Sequence, residues 1–191
     1  MKVIAINGSG RKDGNTAIMV RQVFAALERN GIETELIQLA GEPLMGCAAC
    51  YACGTNKNGR CVYDKDIVNA TFAKMREADG IILASPTYFA DCTGQMKCFI
   101  DRVGCVARAN GNVFKRKVGA SVVSVRRAGA IHAFNTLNHF FTIGESIVVG
   151  SSYWNIGRGG KIGEVANDEE ASKTMDDLGE NMAWLLKKLN G

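Results

Sequence analysis

Residues 47–61 read CAACYACGTNKNGRC, and four of the chain's seven cysteines fall inside that stretch. Cys47, Cys50, Cys53 and Cys61 are spaced C-x2-C-x2-C-x7-C. Thiols at this density hold soft metals, form disulfides, or fill a loop as small apolar side chains. Zinc sites favour two separated cysteine pairs or mixed Cys/His sets. Three cysteines at intervals of three, with a fourth a short loop later, lie closer to the spacing that wraps an iron–sulfur cube. No proline follows Cys61, where bacterial ferredoxins carry one. The residues alone leave open a four-iron cluster, zinc, and a set of cluster-free thiols.

The rest of the chain narrows the setting. Its 191 residues suit a single domain, 1–191, large enough to bury a core without cross-links. Disulfides are therefore not needed for stability. A net charge of +4 with no run of Lys and Arg argues against a nucleic-acid partner and suits an anionic small ligand. No apolar segment reaches membrane-spanning length. The apolar start of MKVIAINGSG breaks off in a polar glycine loop, unlike a secretory leader. The expectation is a cytoplasmic protein with no membrane or nucleic-acid partner. Clustered cysteines there read as metal or redox groups.

The elements that must position these cysteines follow from periodicity. Val3-Ile4-Ala5-Ile6 is a short β-branched run, as expected of a strand buried on both faces. Met19, Val23, Phe24 and Leu27 recur at helical spacing, and Asn30-Gly31 closes that helix. Further strands are expected at 32–39, 80–84, 117–125 and 147–149, and helices at 66–78, 95–106, 129–143 and 168–189. A glycine-rich loop is expected over 150–163. Residues 41–63 show neither period and read as a cysteine-rich insertion. Five alternations of strand and helix imply a five-stranded parallel sheet covered on both faces, in the doubly wound order 2-1-3-4-5. That order places the loops at 8–15 and 86–92 side by side.

Both loops carry ligand-type residues. GSGRKDGNT leads from the first strand into a helix, whose first N–H groups and positive dipole end favour a phosphate. Ser9, Asn15 and Thr16 can donate hydrogen bonds there, and Arg11 a charged fork. The glycines fit neither the dinucleotide fingerprint nor a Walker A loop. The second loop, SPTYFADCTG, sets two aromatics in a polar segment, where one can stack a flat ring and the other pack beneath the loop.

GSGRKDGNT, SPTYFADCTGQMKCFIDR and the following Gly94, Lys97, Asp101 and Arg102 together resemble the flavodoxin-like NADPH-dependent FMN reductase family over most of the chain. The cysteine spacing, inserted after the second strand, resembles its iron–sulfur flavoprotein branch. The resemblance implies a flavodoxin-like three-layer sandwich and an FMN-dependent oxidoreductase. FMN phosphate would be held by Ser9, Arg11, Asn15 and Thr16. The ring would lie against Pro86, Thr87, Tyr88 and Phe89, with 124–129, including Ser124 and Gly129, completing the pocket. Arg126-Arg127 is less typical of the family. A 4Fe–4S cluster would sit on Cys47, Cys50, Cys53 and Cys61. NAD(P)H or ferredoxin would donate electrons, with a quinone or free flavin as acceptor and no protein general base. A homodimer or homotetramer is implied. The alternatives are a cluster-free NAD(P)H:flavin or quinone reductase, and a redox carrier or sensor without turnover.

The remaining candidates have structural readings. Cys92, Cys98 and Cys105 read as structural; Cys98 and Cys105 share one helical face, and Cys92 is placed near the flavin. Asp101 and Arg102 read as a helix-end ion pair. His132 and His139, seven apart, read as helix-face residues rather than a metal pair. Gly157-Arg158-Gly159-Gly160 reads equally as an anion contact and as a mobile surface loop.

Overall fold

β1 (Lys2–Asn7) is apolar toward both faces because it lies inside a covered sheet, and Val3 through Asn7 are buried. The computed structural model describes residues 1–191. The chain continues through α1 (Asn15–Arg29), β2 (Glu33–Gln38), α2 (Ala52–Asn56), α3 (Val68–Glu77), β3 (Gly80–Pro86) and α4 (Gly94–Ala109). It closes with β4 (Val118–Val125), α5 (Ala130–Ile143), β5 (Ile147–Val148), β6 (Ile156–Arg158) and α6 (Glu169–Asn190), with a 3-10 turn at Glu164–Asn167 before α6.

The sheet is parallel throughout, in the order β2-β1-β3-β4-β5. Ile6 sits between Ile37 and Leu83 in register. The period of two splits each strand between two cores. Ile4, Ile6, Ile81 and Leu83 face α3, α4 and α5, whereas Val3, Ala5, Ile82 and Ala84 face α1 and α6. This is the flavodoxin-like sandwich expected from the alternation of elements.

The edge of the sheet differs from expectation. The stretch 150–163 is not simply a loop, because its residues 156–158 form β6, a sixth strand paired with β4. β5 and β6 are one edge strand interrupted by a detour, with 149–155 spanning what 120–122 span on β4. Buried Asn155 bridges the break: its amide donates to the Ser121 carbonyl at 3.0 Å, where a strand would use backbone. The detour turns Tyr153 and Trp154 outward, with ring centroids 5.1 Å apart.

The helix expected at 66–78 begins at Val68, because the Asp66 side chain accepts from the Val68 N–H instead of continuing the turn. The cysteine insertion is not wholly irregular, since 52–56 make the single turn α2. The two loops expected to be neighbours are joined directly. Thr93 caps α4 by accepting from the Met96 N–H, and its hydroxyl donates to the Gly8 carbonyl at 2.7 Å. A Cβ on Gly8 would stand 2.8 Å from that of Met96, so only glycine permits this approach.

Candidate functional site

A cleft of about 200 Å³ opens where the chain switches direction, at the carboxyl ends of β1, β3, β4 and β6. The structure brings Ser9, Arg11, Asn15, Thr16, Pro86, Thr87, Tyr88 and Ser124 into its wall. It leaves Phe89 and Gly129 outside. Arg126, Gly159 and Gly160 also line it. In the sequence, only the glycine-rich run just before the last helix signals Gly159 and Gly160.

The loop after β1 is shaped from within. The Ser9 N–H donates to Asn7, the Arg11 N–H to the Ser9 hydroxyl, and Gln38 ties the Ser9 carbonyl to the neighbouring strand at 2.6 Å. The N–H groups of Gly10, Lys12, Asp13, Asn15, Thr16 and Ala17 donate to no acceptor in the protein. A run of free donors at a helix start, beside an exposed arginine, has the chemistry that suits an anion. The Thr16 and Ser124 hydroxyls meet at 2.7 Å across the cleft floor. The Thr87 hydroxyl, in the same wall, is buried without any partner. Such an orphan fits a ligand that brings its own polar edge.

Asn15 works differently from the sequence expectation. Its amide donates to the carbonyls of Gly159 and Lys161 at 2.8 and 2.9 Å, and its oxygen accepts from the Gly163 N–H at 2.9 Å. The side chain is therefore committed to the loop at 159–163, which becomes a wall of the cleft rather than a mobile surface segment. Only the Asn15 backbone N–H remains free for a ligand.

The aromatic loop also departs from expectation. Tyr88 and Asp91 exchange backbone hydrogen bonds at 2.8 and 3.1 Å, and Phe89 and Ala90 between them have φ of 46° and 65°. This is a tight turn with both central residues left-handed. It throws Phe89 fully into solvent and leaves Tyr88 half exposed at the cleft, so neither ring packs beneath the loop. Gly129, at φ 87°, starts α5 and sits under Ala90 as a support.

The second constellation is a cavity ringed by Cys47, Cys50, Cys53 and Cys61, together with Cys105 of α4. Cys105 thereby joins the thiols of the insertion: its Sγ lies 3.9 Å from that of Cys47, because the helical face it shares with Cys98 is turned toward the insertion. Burial first, and then Cys47, push the Cys105 thiol up to about 11. Cys92 is buried in the core between the sheet and α3–α5, its thiol pushed up to about 12 by burial and then by Asp91. The thiols surround the cavity without converging on one point, and no three are placed to hold a single ion. The cavity measures about 20 Å³, so a four-iron cube requires the loop to widen.

The N–H groups of 45–53 donate to nothing in the protein. Ala49 and Tyr51 are left-handed, at φ 51° and 57°, on either side of Cys50. The soft, all-sulfur donor set fits a cluster.

Arg102 fastens this loop. It does not pair with Asp101, which pairs instead with Lys97 at 2.5 Å. Its guanidinium binds the Asp66 carboxylate and the carbonyls of Met45 and Tyr63, at the two stems of the insertion. Burial opposes its charge, but Asp66 and Cys61 more than offset this, and its pKa is raised. His132 and His139 lie on the exposed face of α5.

Fold and cleft together define a flavodoxin-like α/β domain with free backbone donors at its switch-point cleft. Comparison with known proteins narrows the class: residues 1–161 match the NADPH-dependent FMN reductase family, and the chain belongs to that family. It is 37% identical to an iron–sulfur flavoprotein of Methanocaldococcus jannaschii, over 98% of each chain. It is 32% identical to the iron–sulfur flavoprotein of Methanosarcina thermophila, over 93% of this chain and 95% of that one. Among solved structures, RosB with a bound 8-demethyl-8-formylriboflavin-5'-phosphate intermediate superposes with a TM-score of 0.78 at 19% identity, covering 99% of this chain and 80% of RosB. An archaeal flavodoxin superposes with a TM-score of 0.64 at 16% identity, covering 98% and 99%. These superpositions establish the fold.

Proposed function

We propose that the chain is an FMN-dependent oxidoreductase of the iron–sulfur flavoprotein kind, with FMN in the switch-point cleft and a 4Fe–4S cluster on Cys47, Cys50, Cys53 and Cys61. The observation that carries the flavin half is the set of free N–H groups of Gly10, Lys12, Asp13, Asn15, Thr16 and Ala17, beside Arg11 and in one cleft with the orphan Thr87 hydroxyl. The free donors and Arg11 neutralise and orient a dianionic phosphate. Thr87 and the backbone around Ser124 offer hydrogen bonds to the polar edge of a ring, and Tyr88 offers it an aromatic face. The loop at 159–163, held by Asn15, shields the phosphate end from water. FMN when bound supplies hydride and single-electron chemistry. The protein needs no general base for that chemistry. NAD(P)H or a ferredoxin-type protein is the donor class, and a quinone or free flavin the acceptor class.

The cluster half is supported by the four-thiol donor set, the free N–H groups of 45–53 and the names of the full-length relatives. The narrow thiol cavity favours one second reading, a cluster-free NAD(P)H:flavin or quinone reductase. Anaerobic purification with iron, sulfide and flavin analysis separates them. The expected result is FMN with about four iron and four sulfide per chain. FMN without iron selects the second reading, and no flavin even after reconstitution overturns both.

A further inference from the structure

Arg102 stands in the wall of the thiol cavity with its side chain wholly enclosed. Its two terminal nitrogens are satisfied by Asp66 and by the carbonyls of Met45 and Tyr63. Its remaining donor, Nε–H, is buried and has no acceptor in the chain. Native proteins rarely leave such a group unpaired, least of all on a charged side chain. Cys61 lines the same cavity as this guanidinium. A clamp for the loop needs only the terminal nitrogens. The orphan Nε–H and the positive charge point to a partner on the cavity side.

We propose that Arg102 is a positioning residue for the group bound at the cysteines. Its Nε–H donates to the Cys61 sulfur or to a sulfide of the cluster, and its charge holds the reduction potential up. The inference rests on the cluster reading above. Reduction adds negative charge, which a neighbouring buried cation favours. Hydrogen bonds to sulfur and local charge are the protein's usual levers on an iron–sulfur potential. Asp66 is the counterweight, an anion bound to the same guanidinium. Removing either partner of a buried ion pair strains the fold in the same sense, but the electrostatic effects on the cluster have opposite signs.

The test uses the anaerobically prepared holoprotein and a spectroscopic redox titration of the cluster, with iron and sulfide counted in parallel. Arg102→Gln is expected to shift the midpoint to a more negative value. Arg102→Lys, which keeps the charge but not the planar donor, recovers part of that shift. Asp66→Asn shifts it to a more positive value. The two milder variants keep the test alive if Arg102→Gln does not fold. If the native chain holds iron and the Arg102 and Asp66 variants shift the midpoint in one direction, or leave it unmoved, Arg102 is only a clamp and the inference fails alone. If the native chain binds FMN but no iron, the cluster reading fails and takes the inference with it.

Discussion

The side-chain amide of Asn15 donates to the Gly159 carbonyl at 2.8 Å, and a Cβ on Gly159 would stand 2.7 Å from that same nitrogen. The first helix of the chain thus holds the last glycine loop against the cleft. Asn15→Ala leaves the Gly163 N–H and two carbonyls without their partner, at a cost of about 1–3 kcal/mol. The expected outcome is a lower Tm and FMN affinity weakened about tenfold, read by flavin fluorescence on mixing. Native-like FMN affinity in this variant would show that the loop plays no part in binding.

Thr87 offers a test in which stability and binding move apart. Its hydroxyl is buried without a partner in the free chain. Thr87→Val should leave the flavin-free protein unchanged or up to about 1 kcal/mol more stable, because an unmet polar group is removed. FMN affinity should fall by about three- to tenfold, the worth of one hydrogen bond. Urea unfolding of the flavin-free protein and a flavin titration check the two signs separately. An unchanged affinity would remove Thr87 from the site.

The turn at Phe89 and Ala90 stores strain. Left-handed backbone costs about 1–2 kcal/mol for a residue with a Cβ, and both central residues carry one at φ 46° and 65°. Replacing the pair with Asn-Gly, the sequence such a turn favours, should raise stability by about 1–2 kcal/mol. Denaturant midpoints for the double variant check this. A loss of stability would mean that the turn is not left-handed at both positions in solution.

Cys92 predicts a pH dependence. Its thiol titrates near 9.0 when exposed and is pushed up to about 12 in the fold, by burial first and by Asp91 second. The folded state therefore keeps a proton that the unfolded chain gives up above pH 9. Its contribution to stability is complete below about pH 9 and is lost as the pH rises toward 12. Tm should fall more steeply over that window in the native chain than in Cys92→Ala. Parallel curves would place the thiol outside the core.

The 3.9 Å approach of Cys47 and Cys105 predicts a selective cross-link in the iron-free protein. Oxidised glutathione, by two thiol–disulfide exchanges, should join these two cysteines and release two molecules of glutathione. A non-reducing digest read by mass spectrometry locates the bond, and Cys105→Ser should abolish it. A bond confined to Cys47 and Cys50 would contradict the observed geometry.

Much of the fold was legible in the chain itself. Unbroken β-branched runs announce parallel strands, and apolar spacing announces the helices, because each pattern reflects burial of a local face. The short edge strand β6 is not legible there: three residues, Ile156-Gly157-Arg158, carry no period, and only pairing with Val123–Val125 makes them a strand. The aromatic turn is not legible for a related reason. Nothing in Phe89-Ala90 favours left-handed backbone, so its shape comes from the Tyr88–Asp91 hydrogen bonds and the support of Gly129.

By itself the sequence determined the order of strands and helices, the place of the phosphate-type loop and the spacing of four thiols, all of which are written in near neighbours. Tertiary structure alone decided the partners. Asn15 meets Gly159 across 144 residues, Cys47 meets Cys105 across 58, and Arg102 meets Asp66 across 36. Such pairs leave no local period, because they depend on which helix face packs against which loop once the sheet has formed. That packing made Asn15 a latch, Cys105 a fifth thiol and Arg102 the cation of the cysteine cavity.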